Sequence, residues 1–311
     1  ALAEAFTICD AYHCAIHAGT NPNRLFIWTG TNDPSGTHHG PAIDNGYDNL
    51  KSDPQGHGGY EWVTYPERLT SAGISWQIYQ DMDDNFTDNP LAGFKLYRMA
   101  DTSKSAPLAD LAARSLRTRA LDKLKEDVLA DKLPQVSWIV ATAAGSEHPG
   151  PSSPAQGADY TAQVLDALTA NPAVWARTVF LINFDENDGY FDHVPPPSVP
   201  TKLDGVTYGE SQIDTTGEYH NDKDWKDRPY GLGPRVPLYV ISPWSKGGFV
   251  NSQVFDHTSV IRFLETRFGV HEPNISPWRR AVCGDLTTCF DFATPNTDAF
   301  FQTLPETTTT A

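Results

Sequence analysis

The chain has 311 residues, 39% of them hydrophobic, and a formal net charge of −16. So acidic a surface repels nucleic-acid phosphates and strongly anionic membranes, and no Lys/Arg stripe reverses this, which argues against a nucleic-acid enzyme and leaves neutral or zwitterionic substrates. No apolar run reaches the ~18 residues that a membrane-crossing helix needs.

The chain opens on ALAEAFTICDAYHC, which reads as amphipathic structure rather than a secretory leader. It closes on the polar tail PETTTTA, and both ends are expected to be cut from a longer protein. AGTNPNRLFIWTG (18–30) carries helix signals: Asn21 as N-cap, Pro22 at the first position and Gly30 as the stop. GISWQIYQ (73–80), QVSWIVAT (135–142), RTVFLINF (177–184) and VPLYVISPW (236–244) read as strands, apolar nearly throughout as strands covered on both faces are. Helical patterns fall between and after them, at 107–133, 158–175 and 257–269. The alternation predicts an α/β fold with a mostly parallel sheet and helices on both faces. Residues 29–60 and 194–235 do not alternate; loops of that length in a compact domain are usually functional or disordered.

The four cysteines form two close pairs, Cys9/Cys14 and Cys283/Cys289, neither with CxxC spacing. Cys283–Cys289 is expected to close a small disulfide loop in an exported protein, with Cys9–Cys14 the weaker pair and buried free thiols the alternative.

FDENDGYFDHVPPP (184–197) places Asp185, Glu186, Asp188 and Asp192 just beyond a buried strand. Ligands of parallel α/β sheets bind beyond the carboxyl ends of strands, and adjacent carboxylates there repel unless a cation or proton intervenes. An EF-hand does not fit, because Gly189 stands at position 5 and Pro196 at position 12 counted from Asp185. A divalent cation is the favoured reading and a solvated acidic turn the alternative. Thr20 sits ahead of a helix start, where backbone N–H groups favour phosphate, although on these residues alone an ordinary capped helix with an unremarkable Thr is the favoured reading. His148 in GSEHPG follows the strand at 135–142 and is expected at the same sheet edge as Asp185, as is Asp81 after the strand at 73–80. His39 in THHGP carries the same ambiguity between site and surface.

GTNPNR, SEHPG and FDENDGYFDHVPPP, in this order, resemble the bacterial phosphoesterase family that contains phospholipases C and a related acid phosphatase. TICDAYHC, NRLFIWTGTND, DNFTDNPLAGF and DHTSVIRFLETRFG are most similar to its phosphocholine-specific branch, and the resemblance runs from Ala1 to about Asp291. It implies an alkaline-phosphatase-like three-layer α/β/α sandwich. It also implies a Thr20 nucleophile, Asn21 holding the phosphoryl group, His148 contacting it, and one divalent metal (Ca, Mn, Mg or Zn) on Asp185, Glu186 and Thr20. The implied reaction is hydrolysis of phosphatidylcholine to diacylglycerol and phosphocholine at a membrane or micelle surface, by a secreted or periplasmic bacterial enzyme. A phosphomonoesterase on the same scaffold and a head-group binder without turnover are the alternatives. Trp28, Tyr60 and Tyr190 are the aromatics expected nearest a choline cage, with His39 and Asp81 as further substrate-binding candidates. The family's ENRSFD-type motif, whose Glu and Asn complete the metal site, is not found in these residues. The expectation is therefore one catalytic domain over 1–311, truncated at its N-terminus and open to truncation at its C-terminus.

Overall fold

The apolar runs become strands in a computed structural model that describes residues 1–221 and 224–294. The tail PETTTTA lies outside the described residues. The strands are β1 (Thr7–Cys9), β2 (Tyr12–His13), β3 (Trp76–Tyr79), β4 (Val136–Ile139), β5 (Phe180–Asn183), β6 (Thr201–Leu203), β7 (Val206–Tyr208), β8 (Leu238–Ile241), β9 (Val250–Asn251) and β10 (Phe255–Asp256). The helices are α1 (Leu2–Ala5), α2 (Thr20–Thr29), α3 (Tyr65–Ser71), α4 (Lys95–Thr102), α5 (Ala106–Ser115), α6 (Leu121–Leu129), α7 (Pro154–Thr169), α8 (Pro172–Trp175), α9 (Thr258–Phe268) and α10 (Pro277–Val282).

The central sheet runs β5-β8-β1-β9, and β3 pairs with β4 beside it. The β3–β4 pair is parallel, with Trp76 opposite Val136 and Tyr79 opposite Ile139, and β1 is parallel to β9. β8 runs antiparallel to both β5 and β1. The parallel alternation expected from the sequence therefore holds for β3 and β4 and is broken at β8.

Successive strand residues point to opposite faces. Trp76, Ile78 and Trp138 pack into a core with α2, α3, α4 and α5. Tyr79, Ile139 and Phe180 pack the other way, against α6, α7 and α8. Helices thus cover both faces of the strands, which is an α/β/α layering. The 107–133 pattern forms two helices rather than one, because the backbone of Arg119 pairs with Gln80 at the end of β3 and pulls the chain out of helical register.

β4 and β5 do not pair. A cavity of about 500 Å³ separates them, lined by residues 135–140 on one side and 179–183 (apart from Ile182) on the other. Both strands are edges as a result, and all four residues of β5 are only half-buried, although the sequence reads as a strand covered throughout. Ser137 Oγ, buried on β4, has no hydrogen-bond partner.

Candidate active site

The first turn of α2 is set by the residues around it. Gly19 precedes the helix in an extended conformation, and Gly30 ends it at φ 73°, where its N–H bonds Phe26 O. Pro22 costs nothing here, since first-turn N–H groups have no helical acceptor. Asn23 folds the approaching chain back: its Oδ1 accepts the Ile16 N–H at 3.0 Å, and its Nδ2 donates to Ala18 O at 2.9 Å and Gly19 O at 3.1 Å. Thr20 is left half-buried at the start of the helix.

β5 delivers the carboxylates to this point. Thr20 Oγ1 donates to Glu186 Oε1 at 2.8 Å. Arg24, one turn along α2, donates from Nε to Asp185 Oδ2 at 2.8 Å and from an Nη to Asp88 Oδ2 at 2.9 Å. The Asn21 backbone N–H is held by Asn45 Oδ1 at 2.9 Å, whereas its side-chain Nδ2 is buried with no hydrogen-bond partner. A buried donor without a partner costs about 1–3 kcal/mol, so its place beside Thr20 marks where an acceptor belongs.

His148 closes the opposite side. Its Nδ1 accepts the Gly150 N–H at 3.2 Å, so in the neutral ring the proton sits on Nε2. The ring packs on Phe86 with centroids 4.8 Å apart. Phe86 and its neighbour Thr87 both have positive φ, 52° and 61°, a strained pair that holds the aromatic ring over the imidazole. Thr20, Phe86, Asp88 and His148 border two adjoining cavities, one of about 780 Å³ reaching the 184–192 loop and one of about 360 Å³ that includes Asn21 and Asn45. The far wall is fastened by Arg235, which grips both oxygens of Asp192 at 2.8 and 2.9 Å and holds that carboxyl well below the usual carboxylate range.

Charge is crowded here. Burial, and then Asp185 and Asp188, push the Glu186 carboxyl above its ordinary range, opposed by the Thr20 hydrogen bond. Burial pushes Asp88 up to about 6 despite Arg24. Beneath the site, His257 joins the two segments that carry Thr20 and Asp185. Its Nδ1 accepts the Ala15 N–H at 3.3 Å and its Nε2 donates to Phe184 O at 3.2 Å. Complete burial lowers it to about 4, so it is neutral at neutral pH.

Thr20 Oγ1 and the carboxylates of Asp185 and Glu186 are hard oxygen donors, the chemistry that Ca²⁺, Mg²⁺ or Mn²⁺ requires. Among the described residues no group of three or more His, Cys, Asp and Glu converges on one point. The three donors therefore fit a divalent cation only as part of its shell, with substrate, water or further chain filling the rest.

A model of the phosphoesterase family matches residues 1–271. The chain belongs to the phosphoesterase family. It is 64% identical over 310 residues to the non-hemolytic phospholipase C of Pseudomonas aeruginosa, covering 99% of this chain and 44% of that protein. It is 47% identical over 316 residues to the hemolytic phospholipase C of the same organism, covering 94% of this chain and 41% of that one. The chain thus spans under half the length of these curated relatives. A crystal structure of an alkaline phosphatase superfamily protein from Vibrio parahaemolyticus aligns at TM-score 0.45 and 13% identity, over 92% of this chain and 62% of that one, a likeness too loose to carry the fold.

Within this phosphoesterase, Thr20, His148, Asp185, Glu186 and Tyr190 line the larger cavity, and Asn21 lines the smaller one. The other expected residues lie elsewhere. Trp28 is buried and stacks on Trp138 at 4.8 Å. Tyr60 is buried among Tyr47, Trp62 and Phe94. Neither forms a cage at the pocket, because the apolar faces of α2 and the 29–60 loop draw both rings inward. His39 bonds Gly59 O and stacks on His57, and Asp81 caps the turn at Asp83; neither borders the two cavities. The Cys283–Cys289 disulfide is also corrected: all four cysteines are free, and Cys289 faces Cys9 instead. Sequence reading missed Arg24, Asn23, Asn45, Phe86, Asp88 and His257. Arg24, a lone cation just after GTNPN, left a signal there, and Phe86, Asp88 and His257 stood within DNFTDNPLAGF and DHTSVIRFLETRFG without being read as site residues.

Proposed function

We propose that the protein is a phosphoric diester hydrolase of the phospholipase C type, cleaving phosphatidylcholine to diacylglycerol and phosphocholine. The observation that carries this reading is the unpartnered Asn21 Nδ2 beside the Thr20 hydroxyl at the start of a ten-residue helix. Together they offer a donor and a nucleophile to one phosphoryl group, and the helix terminus adds its partial positive charge.

Thr20 Oγ1 attacks phosphorus in line and passes its proton to Glu186 Oε1, with which it already shares a hydrogen bond. The Oγ1–P bond forms as the bond from phosphorus to the glycerol oxygen breaks. His148 Nε2–H, left free by the Nδ1 bond to Gly150, donates a hydrogen bond to the departing diacylglycerol oxygen, which takes its proton from solvent. Water then attacks the phosphocholine-threonine: the P–Oγ1 bond breaks, Glu186 returns its proton to Thr20, and the attacking water releases one to solvent. Arg24, itself held by Asp88, fixes the position of Asp185. A divalent cation held by Thr20, Asp185 and Glu186 would lower the hydroxyl's pKa and offset phosphoryl charge.

The loop at the cavity rim supports a lipid surface as the place of action. Tyr190 is 74% exposed and Phe191 93% exposed, both on the larger cavity. Aromatic side chains of this kind settle at membrane interfaces, and the acidic surface points to a zwitterionic one. The site of action is extracellular or periplasmic in this reading; no helix among the described residues is long and apolar enough to cross a membrane.

The test uses the complete protein. Release of phosphocholine from phosphatidylcholine is compared with release of phosphate from a simple monoester. High turnover of the diester with little of the monoester supports the proposal, and the reverse makes the protein a phosphatase. Binding of lipid without turnover of either, with metal supplied, makes it a head-group binder.

A further inference from the structure

Two of the four buried thiols meet across opposite ends of the sequence: Cys9 Sγ and Cys289 Sγ are 3.6 Å apart. That is van der Waals contact, about 1.5 Å more than a disulfide bond. Both backbones are fixed. Cys9 ends β1, which pairs with β8 on one side and β9 on the other. Cys289 ends the short turn Thr287–Cys289, which Leu286 enters at φ 64°. Asp285 Oδ1 holds that turn through the Thr287 N–H and hydroxyl. Asn251 Nδ2 donates to Thr288 Oγ1 at 2.9 Å and to Cys289 Sγ at 3.3 Å. The other two thiols are placed differently: Cys14 Sγ bonds Pro234 O at 3.3 Å, and no sulfur–sulfur contact is found for Cys14 or Cys283 among the described residues.

We propose that Cys9 and Cys289 form a disulfide when the protein meets a thiol-disulfide oxidant, and that this bond ties the floor of the larger cavity to the C-terminal turn. Cys9 lines that cavity together with Ile8 and Asp10. The chemistry is two exchanges with a small-molecule disulfide. The Cys289 thiolate attacks one sulfur and expels the first thiolate, giving a mixed disulfide. The Cys9 thiolate then attacks Cys289 Sγ and expels the second. The protein loses two electrons and two protons, and the oxidant leaves as two thiols. The Cys9 thiol and then the Asn251 N–H favour the thiolate on Cys289, which makes it the first to attack. The bond would close a loop spanning nearly the whole chain, the length at which cross-linking restricts the unfolded state most.

The protein is equilibrated with oxidised glutathione, alkylated, digested without reductant and mapped by mass spectrometry. The expected product is one cross-linked species joining the Cys9 and Cys289 peptides, retained in the Cys14→Ser/Cys283→Ser double variant. Oxidation should raise the thermal midpoint of that double variant by roughly 5–10 °C, and added reductant should remove the gain. Cross-links found only within Cys9–Cys14 or Cys283–Cys289, or four alkylated thiols after oxidation, would overturn the proposal. The wild-type peptide map decides the matter even if the double variant fails to fold.

Discussion

His257 makes the account testable through pH. It is completely buried, and its two nitrogens are committed to Ala15 N–H and Phe184 O. Protonating it would set a second N–H against the Ala15 N–H, in a site already closed to water. Burial takes it from its ordinary value of 6.5 to about 4. The unfolded chain therefore binds more protons than the folded one between these two values. The stabilising effect of keeping the ring neutral is fully present above pH 6.5 and is lost as pH falls toward 4. Linkage over these two values gives a loss of about 2 kcal/mol between about pH 7.5 and pH 5. Asp88 acts in the opposite sense, its raised carboxyl favouring the folded state as pH falls from about 6. The His257 contribution must therefore be read as a difference between two proteins. His257→Gln keeps a donor for Phe184 O and does not titrate. Urea unfolding of wild type and variant across that pH range should show the wild type losing about 2 kcal/mol more than the variant. A wild-type-minus-variant difference that stays constant across the range would refute the placement of a neutral, doubly bonded His257.

Three other outcomes follow from the same geometry. Arg24→Met leaves Asp88 and Asp185 without their cation, and losing one partner of a largely buried ion network costs roughly 3 kcal/mol; the variant's thermal midpoint should respond more strongly to Ca²⁺ or Mn²⁺ than that of the wild type. Trp28→Ala opens the core against Trp138, at roughly 3–5 kcal/mol in unfolding experiments, with no change in choline selectivity in the folded fraction. Phe191→Ser should reduce cosedimentation with phosphatidylcholine vesicles severalfold while hydrolysis of a water-soluble short-chain substrate stays near the wild-type rate.

Period and punctuation carried much of the fold. The strands at 73–80, 135–142, 177–184 and 236–244 and the helix ending at Gly269 were legible because their signals are local. The break at Leu116–Ala120 was not, since it depends on Arg119 reaching Gln80, a partner 39 positions earlier in the chain. Nor was the antiparallel course of β8, because a buried strand reads the same in either direction. In the site, carboxylates after a strand and Thr20 at a helix start can be read from neighbours alone. Asp88, Phe86 and Asn45 reach the site from long loops, and their geometry depends on backbone turns that composition does not encode. The cysteines show the same limit: spacing joins Cys283 to Cys289, whereas the sheet carries Cys9 across the molecule to meet it.

The central claim is covalent attack by Thr20. The complete protein should be mixed with phosphatidylcholine and divalent metal, quenched in acid within the first turnovers, digested and analysed for a phosphocholine adduct. The account predicts that the adduct sits on Thr20, and that Thr20→Ala loses both the adduct and turnover while retaining fold and metal content. Turnover that continues at a near-normal rate in Thr20→Ala, or an adduct carried by another residue, would contradict it.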